Sequence, residues 1–115
     1  MSKLQIHVGG NLEDMKRRVA DAVERAKRGE AVREDHVNFE SWDALASVMT
    51  AKRFELLRHL HRSPEASIAS LARSLKRDYK RVHEDVEALS AAGLIERTDQ
   101  GLRAEYAEIR AQIAL

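Results

Sequence analysis

The chain has no cysteine, a single proline, one tryptophan, two tyrosines and two phenylalanines in 115 residues. Without cysteine, disulfide frameworks, thiolate-bound zinc, iron–sulfur clusters and thiol nucleophiles are all excluded. With so few aromatics, the core has to be aliphatic, made of Leu, Ile, Val and Ala. A core of this size is marginal for a lone chain, so self-association is expected to bury part of it. No apolar run approaches a membrane span. The N-terminus, Met1-Ser2-Lys3-Leu4-Gln5-Ile6-His7, alternates polar and apolar residues and lacks the apolar block of a signal peptide. The expected location is cytoplasmic, with no membrane contact.

Charge is abundant but balanced. Twenty Lys and Arg stand against nineteen Asp and Glu, giving a formal +1. Net charge therefore does not announce a nucleic-acid binder, and its distribution carries the information.

Leu4, Ile6 and Val8 share one parity, which predicts a short half-buried strand closed by Gly9-Gly10. Asn11 is placed to cap a helix over residues 12–28, where Leu12, Met15, Val19, Ala22, Val23 and Ala26 recur at helical spacing. Residues 30–35 read as a charged connector. Val37 and Phe39 then mark a second short strand that pairs with the first. From Ser41 onward the capping signals are sharper. Ser41 caps a short helix with Trp42, Leu45, Ala46 and Met49. Thr50 caps the next, with Phe54, Leu56, Leu57 and Leu60, and Ser63-Pro64 ends it. Trp42 and Phe54 read as core. Ser67 caps a two-turn helix with Ile68, Leu71, Ala72 and Leu75. Lys76-Arg77 makes the turn. Asp78 caps a longer helix with Tyr79, Val82, Val86 and Leu89 inward, although the Tyr79 hydroxyl could instead reach a phosphate. Two short strands flank the turn cluster Thr98-Asp99-Gln100-Gly101. Ile109 and Ile113, four apart, predict a helical tail over 107–115.

Residues 50–106 resemble the winged helix-turn-helix of prokaryotic transcription regulators. The resemblance is carried by Ser67-Ile68-Ala69-Ser70-Leu71-Ala72 as support helix and by the recognition helix from Asp78-Tyr79-Lys80-Arg81-Val82-His83. Ala91-Ala92-Gly93-Leu94-Ile95-Glu96-Arg97 forms the junction into a wing. The fold it implies is mainly α with a small β-wing, preceded by the strand–helix–strand extension. Three segments follow: an extension over 1–40 for dimer or partner contact, a DNA-binding domain over 41–106 and the helical tail over 107–115.

Between Arg73 and His83 lie five basic residues (Arg73, Lys76, Arg77, Lys80 and Arg81) and one acid, Asp78, a local +4 in a chain of +1. An arginine can fork onto guanine O6 and N7 in the major groove, whereas lysine mostly meets phosphate. Arg77, Lys80, Arg81 and His83 are therefore candidates for the major groove. Arg97, Thr98, Gln100 and Arg103 are candidates for the flanking backbone. Glu84, Asp85 and Glu87 turn the far end of the helix acidic, and that end is expected to stay out. Any one exposed basic residue on a helix is ordinarily only solvated surface, so the argument rests on the cluster.

Nothing here spells out an enzyme. His59 and His61 diverge on a helix, and no His-Glu-x-x-His or clustered carboxylates suggest a metal. No cofactor is expected. Arg53 with His59, and Arg77 with His83, have the spacing of an Arg-x(4–6)-His motif that resembles a helical ribonuclease family of toxin systems. Both pairs lie within helices the winged-helix reading already explains.

The whole layout is also similar to small predicted prokaryotic DNA-binding proteins of antitoxin type. That resemblance implies an autoregulatory repressor, homodimeric on double-stranded DNA, with a toxin protein as a further partner. The alternative it implies is a module acting mainly by neutralising that toxin.

Overall fold

The computed structural model describes residues 2–10, 12–29 and 34–115. Asn11, expected as a helix cap, and connector residues 30–33 lie outside them. Among the described residues the chain is mixed α/β, with five helices and five strands. Their order is β1 (Lys3–Val8), α1 (Leu12–Lys27), β2 (Glu34–Phe39), α2 (Trp42–Val48), α3 (Ala51–Arg62), α4 (Ile68–Leu75), α5 (Tyr79–Ala91), β3 (Glu96–Thr98), β4 (Gly101–Arg103) and β5 (Glu108–Ile113). Two compact units result, Met1–Leu45 with Glu108–Leu115, and Ala46–Ala107.

The first unit is a parallel sheet in the order β2-β1-β5. Register places Ile6 beside Val37 and Ala111, and Val8 beside Phe39 and Ile113. One face is therefore apolar, and on its central strand Leu4, Ile6 and Val8 are at most 3% exposed. The other face carries Lys3, Gln5 and His7, with His36, Asn38, Arg110 and Gln112. Helix α1 crosses over this polar face, since Arg18 Nη2 donates to Asn38 Oδ1 at 3.0 Å. The tail expected as a helix is instead strand β5. Ile109 and Ile113 fit a period of four, but Ile109, Ala111 and Ile113 fit a period of two equally well. The free edge of β1 decided between them, because a tail in extended form satisfies its backbone groups there.

His7 is buried on the polar face. Its Nε2 lies 2.8 Å from His36 Nδ1, and the two rings stack at 5.1 Å. Burial, then Arg18 and His36, hold the His7 ring below the usual imidazole range. Unfolded His7 thus takes up its proton at a higher pH than folded His7. Stability is full above the ordinary imidazole value and declines as pH falls below it. A His7→Phe variant is expected to lose less melting temperature than wild type between pH 7.5 and pH 5.5. Parallel declines in both proteins would contradict this.

In the second unit the core is aliphatic, as the composition requires. Leu56 and Leu60 of α3, Leu71 of α4, and Val82, Val86 and Leu89 of α5 are fully buried. Each such burial contributes about 1.5–3 kcal/mol. Caps set the helix starts: Thr50, Ser67 and Asp78 accept from the backbone N–H of Arg53, Ser70 and Arg81. Strands β3 and β4 form a hairpin. Leu102 also exchanges two backbone hydrogen bonds with Glu65, at 2.7 and 3.1 Å. Glu65 itself accepts from Ser70 Oγ at 2.9 Å and from His59 Nε2 at 3.0 Å. The Ser74 hydroxyl, followed by His59 and Ser70, holds its carboxyl below the usual range against the opposing effect of burial.

Gly101 has φ +129, and a Cβ there would sit 2.8 Å from Ala66 Cα and collide with the Glu65 carbonyl oxygen. Gly101→Ala is expected to destabilise the unit by about 2 kcal/mol or more, through backbone strain and overlap together. A lower urea midpoint checks this, and an unchanged midpoint would contradict it.

Candidate nucleic-acid interface

Helices α4 and α5 are joined by three residues. Lys76 ends α4 in the left-handed conformation (φ 55, ψ 46), with its N–H bonded to Ala72 O and Arg73 O. Arg77 N–H also returns to Ala72 O, at 3.0 Å. Asp78 then starts α5, its carboxylate accepting from Arg81 N–H at 3.2 Å. This tight turn fixes the angle between the helices, and Leu71 and Ala72 are buried with Val82, Val86 and Leu89. At about 100° per residue, the buried arc of α5 leaves Lys80 and Glu84 pointing away from the core.

Asp85 lies on the buried arc, 9% exposed, which corrects its placement on the outward acidic end. Arg53 Nε of α3 donates to Asp85 Oδ1 at 2.9 Å, and Arg77 Nη2 lies 2.8 Å from Oδ2. Arg53 Nη1 also donates to the carbonyls of Ser47 and Val48, at 3.0 and 3.1 Å. One carboxylate thus ties the end of α2, α3, the turn and α5 together. The sequence held a signal for this: Asp85 shares a helical arc with Val82, Val86 and Leu89, where only a paired acid is tolerated.

The ten residues singled out from the sequence divide accordingly. Arg73, Lys76, Lys80 and Arg81 are exposed around the α4–α5 turn. None forms an ion pair with an acid among the described residues. Arg77 does not join them, because its guanidinium is engaged by Asp85. The His83 ring lies tilted at 37° to that of Tyr79, with centroids 5.9 Å apart, and its Nε2 is 3.7 Å from Glu87 Oε1. Arg97 Nη2 donates to Glu87 at 2.6 Å, a bond that holds the Glu87 carboxyl low. Arg103 Nε donates to Glu96 at 2.9 Å, and its Nη2 lies 3.5 Å from Glu105. Thr98 Oγ1 accepts from Gln100 N–H at 3.2 Å at the exposed tip of the hairpin.

Three aromatics also depart from expectation. Tyr79, Trp42 and Phe54 are 53, 57 and 48% exposed instead of inward. Aliphatic side chains fill the space, so the rings remain outside. Tyr79, Lys80, His83 and Glu84 line a shallow cavity of about 340 Å³ on α5.

The residues of the two Arg-x5-His pairs are engaged elsewhere: both arginines bind Asp85, and His59 binds Glu65. Among the described residues no three His, Cys, Asp or Glu side chains gather as a metal site. No helix among them is long and apolar enough to cross a membrane.

Comparison with curated proteins and with solved structures found no match. The family model HVO_A0114 matches residues 48–111. That segment is more than half of the chain and holds α3, α4, α5, the hairpin and the basic turn. The chain belongs to the HVO_A0114 family.

Proposed function

We propose that this chain is a sequence-specific double-stranded-DNA-binding regulator of transcription, an autoregulatory repressor that works as a cytoplasmic homodimer. The observation that carries the reading is the set of four exposed cations at the α4–α5 turn that pair with no acid among the described residues. The other basic residues of the region, Arg77, Arg97 and Arg103, are each paired within the chain. Helix pairs joined by a tight three-residue turn are a recurrent DNA-binding unit. In this reading α5 enters the major groove by its N-terminal end, which admits one helix. Lys80 and Arg81 meet phosphates and base edges there, with Arg73 and Lys76 on the flanking backbone. The β3–β4 hairpin serves as a wing through Thr98 and Gln100, since Arg97 and Arg103 are tied to acids. Arg77 acts by holding the turn through Asp85.

Competition in a gel-shift assay tests the reading. The upstream duplex of the protein's own gene is expected to stay bound at concentrations of unrelated duplex that strip non-specific complexes. Equal competition by both duplexes would contradict sequence-specific recognition. The exposed Met15, Val19 and Val23 of α1 favour a second reading, a toxin-neutralising module. That reading expects a salt-resistant complex with the neighbouring gene's product, lost when residues 1–40 are deleted.

A further inference from the structure

We propose that α5 reads a thymine in the major groove through its C5 methyl, seated in the concavity between Tyr79 and His83. This deepens the regulator reading above and rests on it. The concavity, about 340 Å³, is lined by Tyr79, Lys80, His83 and Glu84, and its wall is mostly carbon. It opens on the part of α5 outside the buried arc of Val82, Asp85, Val86 and Leu89. Tyr79 brings an aromatic ring to it that is 53% exposed.

The ring is held in place before any base arrives. Tyr79 begins α5 and His83 follows one turn later, so the two side chains are neighbours on the helix surface. Their ring centroids lie 5.9 Å apart with the planes at 37°. The backbone beneath them is fixed by the Asp78 cap on the Arg81 N–H. An aromatic side chain with two torsions, already packed on a neighbour, loses little freedom on binding.

The surroundings select the occupant. Arg73, Lys76, Lys80 and Arg81 are exposed around the turn into α5 and pair with no acid among the described residues. Such a surface attracts a polyanion. In the major groove the thymine methyl is the one apolar projection, whereas guanine, adenine and cytosine present donors and acceptors. A phosphate is disfavoured in the concavity itself, because carbon lines it and the Glu84 carboxylate stands on its rim. Tyr79 therefore meets a base through its ring and not a phosphate through its hydroxyl.

Deoxyuracil in place of thymine removes the methyl and leaves base pairing and O4 unchanged. Affinities for upstream duplexes with each thymine replaced in turn therefore isolate the contact. Wild type is expected to lose about fourfold at one thymine in each half-site, the effect of one buried methyl group. Tyr79→Ala is expected to bind the thymine and uracil duplexes equally at that position, whatever its overall affinity. Tyr79→Phe, which keeps the ring and lacks the hydroxyl, is expected to retain the preference. Both variants should keep the wild-type circular dichroism, because residue 79 is exposed. A wild type that binds the upstream duplex but is indifferent to every uracil overturns this inference and leaves the regulator reading standing. A preference that survives in Tyr79→Ala, or disappears in Tyr79→Phe, overturns it as well. A wild type that binds no duplex overturns both.

Discussion

Replacing Lys80 and Arg81 together by alanine is expected to weaken binding to the upstream duplex by about a hundredfold or more while leaving the fold intact. Each side chain is exposed and has no acid partner among the described residues, so its removal strands no buried charge. Exposed substitutions of this kind change stability by only about 0.5 kcal/mol. The Asp78 cap survives, since it uses the backbone N–H of Arg81. The two residues should separate in character. Lys80→Ala should weaken all sequences alike and lower the salt slope by about one. Arg81→Ala should cost about 1–3 kcal/mol and relax one base preference. Gel shifts on matched and mismatched duplexes check both. A double variant that binds as tightly as wild type would contradict the placement of α5 in the groove.

Asp85→Ala is expected to have the largest effect on stability. Its carboxylate neutralises Arg53 and Arg77, and all three side chains are no more than one-fifth exposed. Removing one member of a buried pair costs about 3–5 kcal/mol, because the remaining charge is left without compensation. Here two guanidinium groups are left. The α2 end, α3 and the turn would lose a shared anchor, so DNA affinity should fall even though Asp85 touches no DNA. Urea unfolding followed by circular dichroism measures the first effect. A loss below about 1 kcal/mol would show that the triad is not structural.

The elements that were legible in the sequence are those specified locally. Ser67 and Asp78 announce helix starts because a short polar side chain there satisfies an otherwise unpaired N–H. Leu4, Ile6 and Val8 announce a strand by parity alone. The parts that were not legible depend on distant partners. Strand β5 exists because β1 offers an edge more than a hundred residues earlier in the chain, and Ile109 and Ile113 cannot encode that choice. Arg77 looked like any other cation in the basic run, and only Asp85, a residue of the next helix, removes it. Tyr79 falls close to the apolar spacing of α5, yet Val82, Val86 and Leu89 already fill the buried arc. The basic run was therefore legible in the chain, while the subset of its side chains left exposed emerged only from the packing.

In the proposed complex Arg73, Lys76 and Lys80 meet the phosphate backbone of a duplex, and Arg81 meets a base edge. The most direct measurement is the affinity for the upstream duplex across a salt series. Six such phosphate contacts in a dimer predict a slope of log K against log salt near −5, at about 0.9 per neutralised phosphate. A slope shallower than about −2, or no binding at low salt, would contradict the account.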